Sequence, residues 1–156
     1  MKNNSIWSNT QSLMVVFNYA NDLQLKEYRK ALDSMLDSSH VKNLLIIVNL
    51  PKEIDKTKLH PHFLIYYNSP NDYSFMGKLK DVLLQREFEK KFDLLIWLGS
   101  TEKKVFNQLK NTSFARKVVV NGSNSFFDLV LKSNEENPTD LLSFVTETLD
   151  KIERYD

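Results

Sequence analysis

The chain has 156 residues, 42% hydrophobic and 26% charged, which is the composition of one folded domain and excludes both a disordered tail and a pair of typical domains. Its 21 Lys and Arg against 20 Asp and Glu leave a formal net charge of +1, so no global field draws it to nucleic acid or to an anionic membrane. With no Cys at all, disulfides, thiolate zinc sites, iron–sulfur ligation and a cysteine nucleophile are excluded.

Residues 1–11 are polar and read as a flexible end ahead of a single α/β domain over 12–156. They hold no apolar core of a signal peptide, and the longest apolar runs elsewhere are strand-length, so a soluble, cytoplasmic protein is expected. Ser12–Asn18, apolar and rich in β-branched residues, is predicted as the first strand. Asn21 can cap a helix after it, with Gln24 placed for a capping-box variant. Leu25, Tyr28, Leu32 and Met35 then fall on one face of a helix running to about Asp37.

Asn43–Asn49 is a fully apolar second strand between its two Asn, ended by Pro51. Residues 51–61 show no period, and Pro61 discourages helix at His60. Without a helical crossover, the next strand, His62–Tyr67, is expected at an edge or antiparallel. Turn residues fill 68–72, and a helix is predicted over about Ser74–Glu89 with Phe75, Leu79, Val82 and Leu83 on one side. Gly77 inside it costs roughly 1 kcal/mol against Ala.

Phe92–Gly99 is the segment that the rest of the chain is arranged to cover. The uninterrupted apolar run Leu94–Leu98 cannot alternate between a wet and a dry face, so it must be a central strand with helices on both sides. Gly99 breaks the run, and Ser100 or Thr101 can cap a short helix carrying Val105, Phe106 and Leu109. Ala115–Asn121 and Phe126–Lys132 are two further strands, and the four turn formers Gly122–Ser125 between them predict an antiparallel hairpin. The last helix has Asn137 as cap, Pro138 at its first position and Leu141, Val145, Leu149 and Ile152 as its buried stripe. The expected fold is therefore a three-layer α/β sandwich: a mixed, mostly parallel sheet of about six strands, about four helices, and a C-terminal hairpin followed by a helix.

In an open α/β sheet ligands bind beyond the carboxyl ends of the strands. Those ends carry Asn18, Asn49, Asn68, Gly99, Ser100, Thr101 and Asn121, which are the candidate ligand-binding residues. Their amides could hold a polar ligand, and free backbone amides after Gly99 could hold a phosphate or carboxylate. Asn also ends strands and caps helices through local bonds, so the same residues have a purely structural reading. With glycine only at 77, 99 and 122, neither a Walker-type loop nor the dinucleotide fingerprint can be written. The paired acids of a receiver domain are absent after the first strand, and no Gly-x-Ser-x-Gly elbow occurs.

His60 and His62, with His40 as a third, lie without the regular spacing of a metal motif, so no metal and no cofactor are expected. Asp93 and Asp128 sit at the amino ends of their strands, opposite the ligand edge, where a carboxylate most often bonds loop amides or a Lys. Trp7, Phe63, Tyr66, Tyr67, Tyr73, Phe126 and Tyr155 are more than the inward faces obviously require; they suggest an exposed aromatic edge, or else they fill a mid-sized core.

From Phe75 onward the pattern resembles an uncharacterised Bacteroidota family of small α/β proteins. The likeness rests on Gly77-Lys78, Phe88 through Ile96 with its Phe-Asp-Leu-Leu-Ile core, Ser113 through Val119, and Phe127 through Val130 before a terminal helix. It covers about half the chain, and the sequence departs from it at Trp97, where that family's pattern has a polar residue. The resemblance implies the fold and no activity. The resulting expectation is a non-enzymatic binding or interaction protein, self-associating or meeting a protein partner through the aromatic edge, with no nucleic acid or membrane partner. The alternative is a small-molecule or nucleotide-binding protein with its site at the strand ends.

Overall fold

The computed structural model describes residues 4–62 and 64–152. Six strands alternate with four helices: β1 (Ser12–Asn18), α1 (Asp22–Asp37), β2 (Asn43–Asn49), β3 (Ile65–Asn68), α2 (Val82–Phe88), β4 (Lys91–Leu98), α3 (Lys103–Leu109), β5 (Ser113–Val120), β6 (Leu129–Leu131) and α4 (Pro138–Lys151). The strands form one sheet in the order β3-β2-β1-β4-β5-β6, with every neighbouring pair parallel. None of the described helices is long and apolar enough to cross a membrane.

The two middle strands are β1 and β4, and their side chains divide between two cores as the uninterrupted apolar runs require. Leu13, Val15, Phe17, Leu94, Ile96 and Leu98 face α1 and α4. Met14, Val16, Leu95 and Trp97 face α2 and α3. Helix α1 starts where Asn21 Oδ1 accepts the Gln24 amide at 2.8 Å and buries the expected stripe together with Ala31. Helix α4 starts at the Asn137 cap and buries Leu141, Leu142, Val145 and Leu149. The result is the three-layer α/β sandwich, with a doubly wound strand order that reverses between β1 and β4.

The C-terminal hairpin is not formed. β6 runs parallel to β5, with Val118 opposite Leu129 and Val120 opposite Leu131. The residues after Asn121 do not reverse the chain; they carry it back over the α2/α3 core, where Phe127 lies edge-on to Trp97 at 6.4 Å. The Asp128 amide then bonds the Lys117 carbonyl at 2.8 Å, which restarts the chain beside the middle of β5 in the same direction. The short strand β3 is likewise parallel. Its crossover has only a 3-10 turn at Lys56–Lys58, and Ile54, Leu59 and Leu64 replace a helix as cover on the α1 side. Apolar anchors on irregular backbone thus suffice for both edge crossovers, so the sheet is not mixed.

Two further expectations are corrected. The helix predicted from Ser74 begins only at Val82, where Asp81 Oδ1 accepts the Leu84 amide at 3.1 Å. Residues 73–79 instead make a tight reversal, in which Tyr73 bridges Leu79, Ser74 N donates to Lys78 O at 2.7 Å and Gly77 adopts φ +81°. That left-handed backbone cannot continue a helix and suits glycine. Nor is all of 1–11 a loose end: residues 1–3 lie outside the described residues, whereas Ser5–Thr10 turns against α4 with Ile6 buried. The Ile6 amide donates to Ile152 O at 2.9 Å, and Ser5 Oγ donates to Asp150 Oδ1 at 2.8 Å.

Candidate functional site

Parallel pairing sets Asn18, Asn49 and Asn68 side by side in one register row at the carboxyl edge of β1, β2 and β3. Register partners point to the same face, and the residues two positions earlier, Val16, Ile47 and Tyr66, lie on the α2/α3 side, so the three amides cap that core. One residue beyond Leu98 and Val120, which pair with each other, stand Gly99 and Asn121. Five of the seven candidates are therefore brought to one edge by strand register.

The asparagine row has a fixed orientation. The Ser100 carbonyl accepts from Asn18 Nδ2 at 2.9 Å and from Trp97 Nε1 at 3.0 Å. A carbonyl can only accept, so Asn18 must turn its Oδ1 the other way, where it accepts from Asn49 Nδ2 at 3.0 Å. At the far end the Tyr73 hydroxyl donates to Asn68 Oδ1 at 3.1 Å. Burial pushes the Tyr73 hydroxyl well above its usual range, so it remains the donor.

The row is left one donor and one acceptor short of closure. Asn49 Oδ1 and Asn68 Nδ2 have no hydrogen-bond partner among the described residues, although the two side chains are only 5% and 2% exposed. Over them lies the segment Ser69–Tyr73. A capping box holds it, with Asp72 Oδ2 accepting the Ser69 amide at 2.9 Å. The Lys56–Asp72 ion pair at 2.7 Å and a 3.4 Å bond from Lys104 Nζ to Pro70 O tie it down on two sides.

The β4–β5 half of the edge is closed locally. Gly99 takes φ +95° to leave the strand, and Ser100 and Thr101 do not cap α3; Glu102 does, its Oε2 accepting the Val105 amide at 2.8 Å. A carboxylate already stands where the free amides were expected, and it disfavours an anion there. Asn121, at φ 59°, accepts the Ser133 amide at 2.8 Å. Gly122 packs against the Gly99 backbone so closely that a Cβ would lie 2.6 Å from the Gly99 carbonyl oxygen and 3.0 Å from Val119 Cγ2. Gly122→Ala is therefore expected to lose about 1–3 kcal/mol of stability by forcing the two loops apart. Urea denaturation reads this directly, and an unchanged midpoint would show the contact to be slack.

The remaining sequence candidates have structural roles. His62 Nδ1 accepts the Leu64 amide at 3.2 Å, and the His60 carbonyl accepts from the Tyr67 hydroxyl at 2.8 Å. No three His, Asp or Glu side chains gather as metal ligands among the described residues. Asp93 Oδ2 accepts the Gln11 and Ser12 amides at 2.9 and 3.1 Å, and Asp128 Oδ2 accepts the Lys117 amide at 2.9 Å. Asp93 pins β1 to β4 at the edge away from the asparagine row, and Asp128 pins the start of β6 beside the middle of β5.

The expected aromatic edge is mostly internal. Tyr73 is buried, Trp7, Tyr66, Tyr67 and Phe126 are half-buried, and Phe63 and Tyr155 lie outside the described residues. Phe126 packs edge-on to Phe106 and Phe127 at 5.1 and 5.2 Å. Besides Leu23 and Val130, the large apolar side chains that stand in solvent are Phe75 and Met76, almost wholly, and Val82 and Leu83, by more than half; Phe75, Val82 and Leu83 are ones the sequence placed on a helix face. For Phe75 and Met76 the available signal was Gly77, which weakens a helix begun at Ser74 and suits a turn.

A depression of about 400 Å³ opens at the carboxyl edge on the opposite face of β3, between the first two turns of α1 and residues 58–60. Compared with protein-family models, with curated proteins and with solved structures, the chain matches none of them.

Proposed function

We propose that the protein is a non-enzymatic, cytoplasmic binding protein whose contact surface is the 73–79 reversal together with the outer face of α2. One observation carries this reading: Phe75, Met76, Val82 and Leu83 are exposed within a single nine-residue stretch. A large apolar side chain in water forgoes roughly 1.5–3 kcal/mol of burial, and a cluster of them marks an interaction surface more often than chance. The reversal presents Phe75 and Met76 at its tip, the form of an anchor that enters a pocket on a partner or on a second copy of the chain.

The test is photocrosslinking from a benzoylphenylalanine placed at Phe75 in the native host, with the same probe at exposed Val130 as control, beside sedimentation of the purified chain. A discrete adduct from position 75 alone, lost when Met76→Ser/Leu83→Ser is combined with the probe, is expected. That double variant should stay within about 0.5 kcal/mol of the parent stability, because the side chains it removes touch little. A monomer with no adduct from position 75 would sink the reading.

A second reading has its own observation in support. The doubly wound strand order and the unpartnered Asn49 Oδ1 and Asn68 Nδ2 favour a small-molecule site at the carboxyl ends of the strands. Kinship with the Bacteroidota family also remains a proposal. Its support is that the two longest shared motifs fall on β4 and β5, which are paired neighbours.

A further inference from the structure

We propose that the depression between α1 and residues 58–60 is a binding site for a small phosphomonoester with an apolar body. The inference rests on the second reading above, that ligands enter at the carboxyl edge of the sheet, and it names the place and the chemistry.

Four charged side chains of unlike sign line the depression beside His60 and Tyr67: Lys26, Arg29 and Lys58 against Asp22. Three cations less one carboxylate give a local charge of +2, in a chain whose total is only +1. Among the described residues three other cations are ion-paired, Lys56 with Asp72, Lys90 with Glu87 and Lys117 with Asp128. Lys26, Arg29 and Lys58 have no ion pair or side-chain hydrogen bond among the described residues. Asp22 Oδ1 accepts from the Tyr19 hydroxyl at 2.6 Å, and the carboxylate still offsets one of the three cations. The remaining like charges around one concavity repel one another, and an anion removes that repulsion.

The rest of the lining selects among anions. Leu25 is buried and Leu59 half-buried, and with the Tyr67 ring they give the depression an apolar wall. Arg29 lines the same depression as that wall. A ligand that satisfies the site thus needs a charged head for three cations and an apolar body for the wall. A carboxylate has two oxygens in one plane. A phosphomonoester has three terminal oxygens and nearly two charges, which matches one guanidinium fork and two ammonium groups. A volume near 400 Å³ lies in the range of small-molecule sites.

The experiment is a titration of the isotopically labelled full chain with phenyl phosphate, followed by amide chemical shifts, with phenol and sodium sulfate as comparison probes. Saturable shifts at Lys26, Arg29, Lys58 and Leu59 are expected with phenyl phosphate, and much weaker ones with phenol or sulfate. Arg29→Gln and Lys58→Glu should each lower the affinity about tenfold or more. Lys58 is exposed at the end of a 3-10 turn, so its substitution leaves the core intact even if Arg29→Gln disturbs α1. Equal shifts from sulfate, or unchanged affinity in both variants, would overturn the phosphomonoester site. Saturable shifts at Asn49 and Asn68 instead would overturn this placement and leave the second reading standing. No saturable shift at either place would remove both.

Discussion

Trp97→Ala is expected to remove about 3–5 kcal/mol of stability, a large part of what holds a domain of this size together. Trp97 is completely buried in the middle of β4, and it packs edge-on to Phe106 at 6.5 Å and to Phe127 at 6.4 Å. Those two rings come from α3 and from the crossover into β6, so the indole joins three separate parts of the chain on one face. Its Nε1 also fixes the Ser100 carbonyl that orients Asn18 and, through it, Asn49. The alanine variant therefore loses both an aromatic cluster and the anchor of the asparagine row. Trp97→Phe separates the two effects. It keeps most of the ring packing and drops the Nε1 bond, so its loss should be about 1–2 kcal/mol. Urea denaturation of both variants decides the matter, and an alanine variant within 1 kcal/mol of the parent would show that the cluster collapses freely around the gap.

How much of this was readable in the sequence depended on whether one residue's neighbours along the chain determine its surroundings. For β4 they do: an unbroken apolar run from Leu94 to Leu98 admits only a covered strand, and both faces are indeed packed. The caps Asn21 and Asn137 were equally plain, because a cap acts on amides two or three residues away. The direction of β6 was not legible in this way. Gly122–Ser125 permits a reversal, and what prevents one is Phe127 reaching a tryptophan thirty residues back. The helix expected at Ser74 failed for a local reason that the sequence did contain, since Gly77 stands in left-handed backbone.

For the candidate sites the division is similar. Asn18, Asn49 and Asn68 were recognisable as strand ends, but their joining into one row with a spare donor and acceptor follows only from parallel register. Lys26 and Arg29 fall outside the buried stripe of α1. What they look out on is set by residues 58–60, a stretch without any period.

Ile6→Ala is expected to lose about 2–3 kcal/mol, the lower part of the range for a buried Ile, and to lower the melting temperature by roughly 5–10 °C. A polar end read as flexible predicts no change, so the substitution separates the two descriptions of the same residues. Ile6 is buried in the core between β1 and α4, and the turn that carries it is tied at several points. Its amide bonds the Ile152 carbonyl at 2.9 Å, its carbonyl accepts from Thr10 Oγ1 at 2.8 Å, and the Trp7 amide reaches Leu149 O at 3.4 Å. The Ser and Asn residues around Ile6 and Trp7 do not mark an unstructured tail; their hydroxyls and amides satisfy the turn, as when Asn9 Nδ2 donates to the Ser5 carbonyl at 2.8 Å. Two apolar side chains in such a segment have no period to betray them. Their burial depends in large part on α4, which lies more than a hundred residues away in sequence. Thermal and urea unfolding of Ile6→Ala measure the effect, and hydrogen exchange at the Ile6 amide gives an independent reading. A stability change below about 0.5 kcal/mol with unprotected exchange would show that the segment does not hold to α4 in solution.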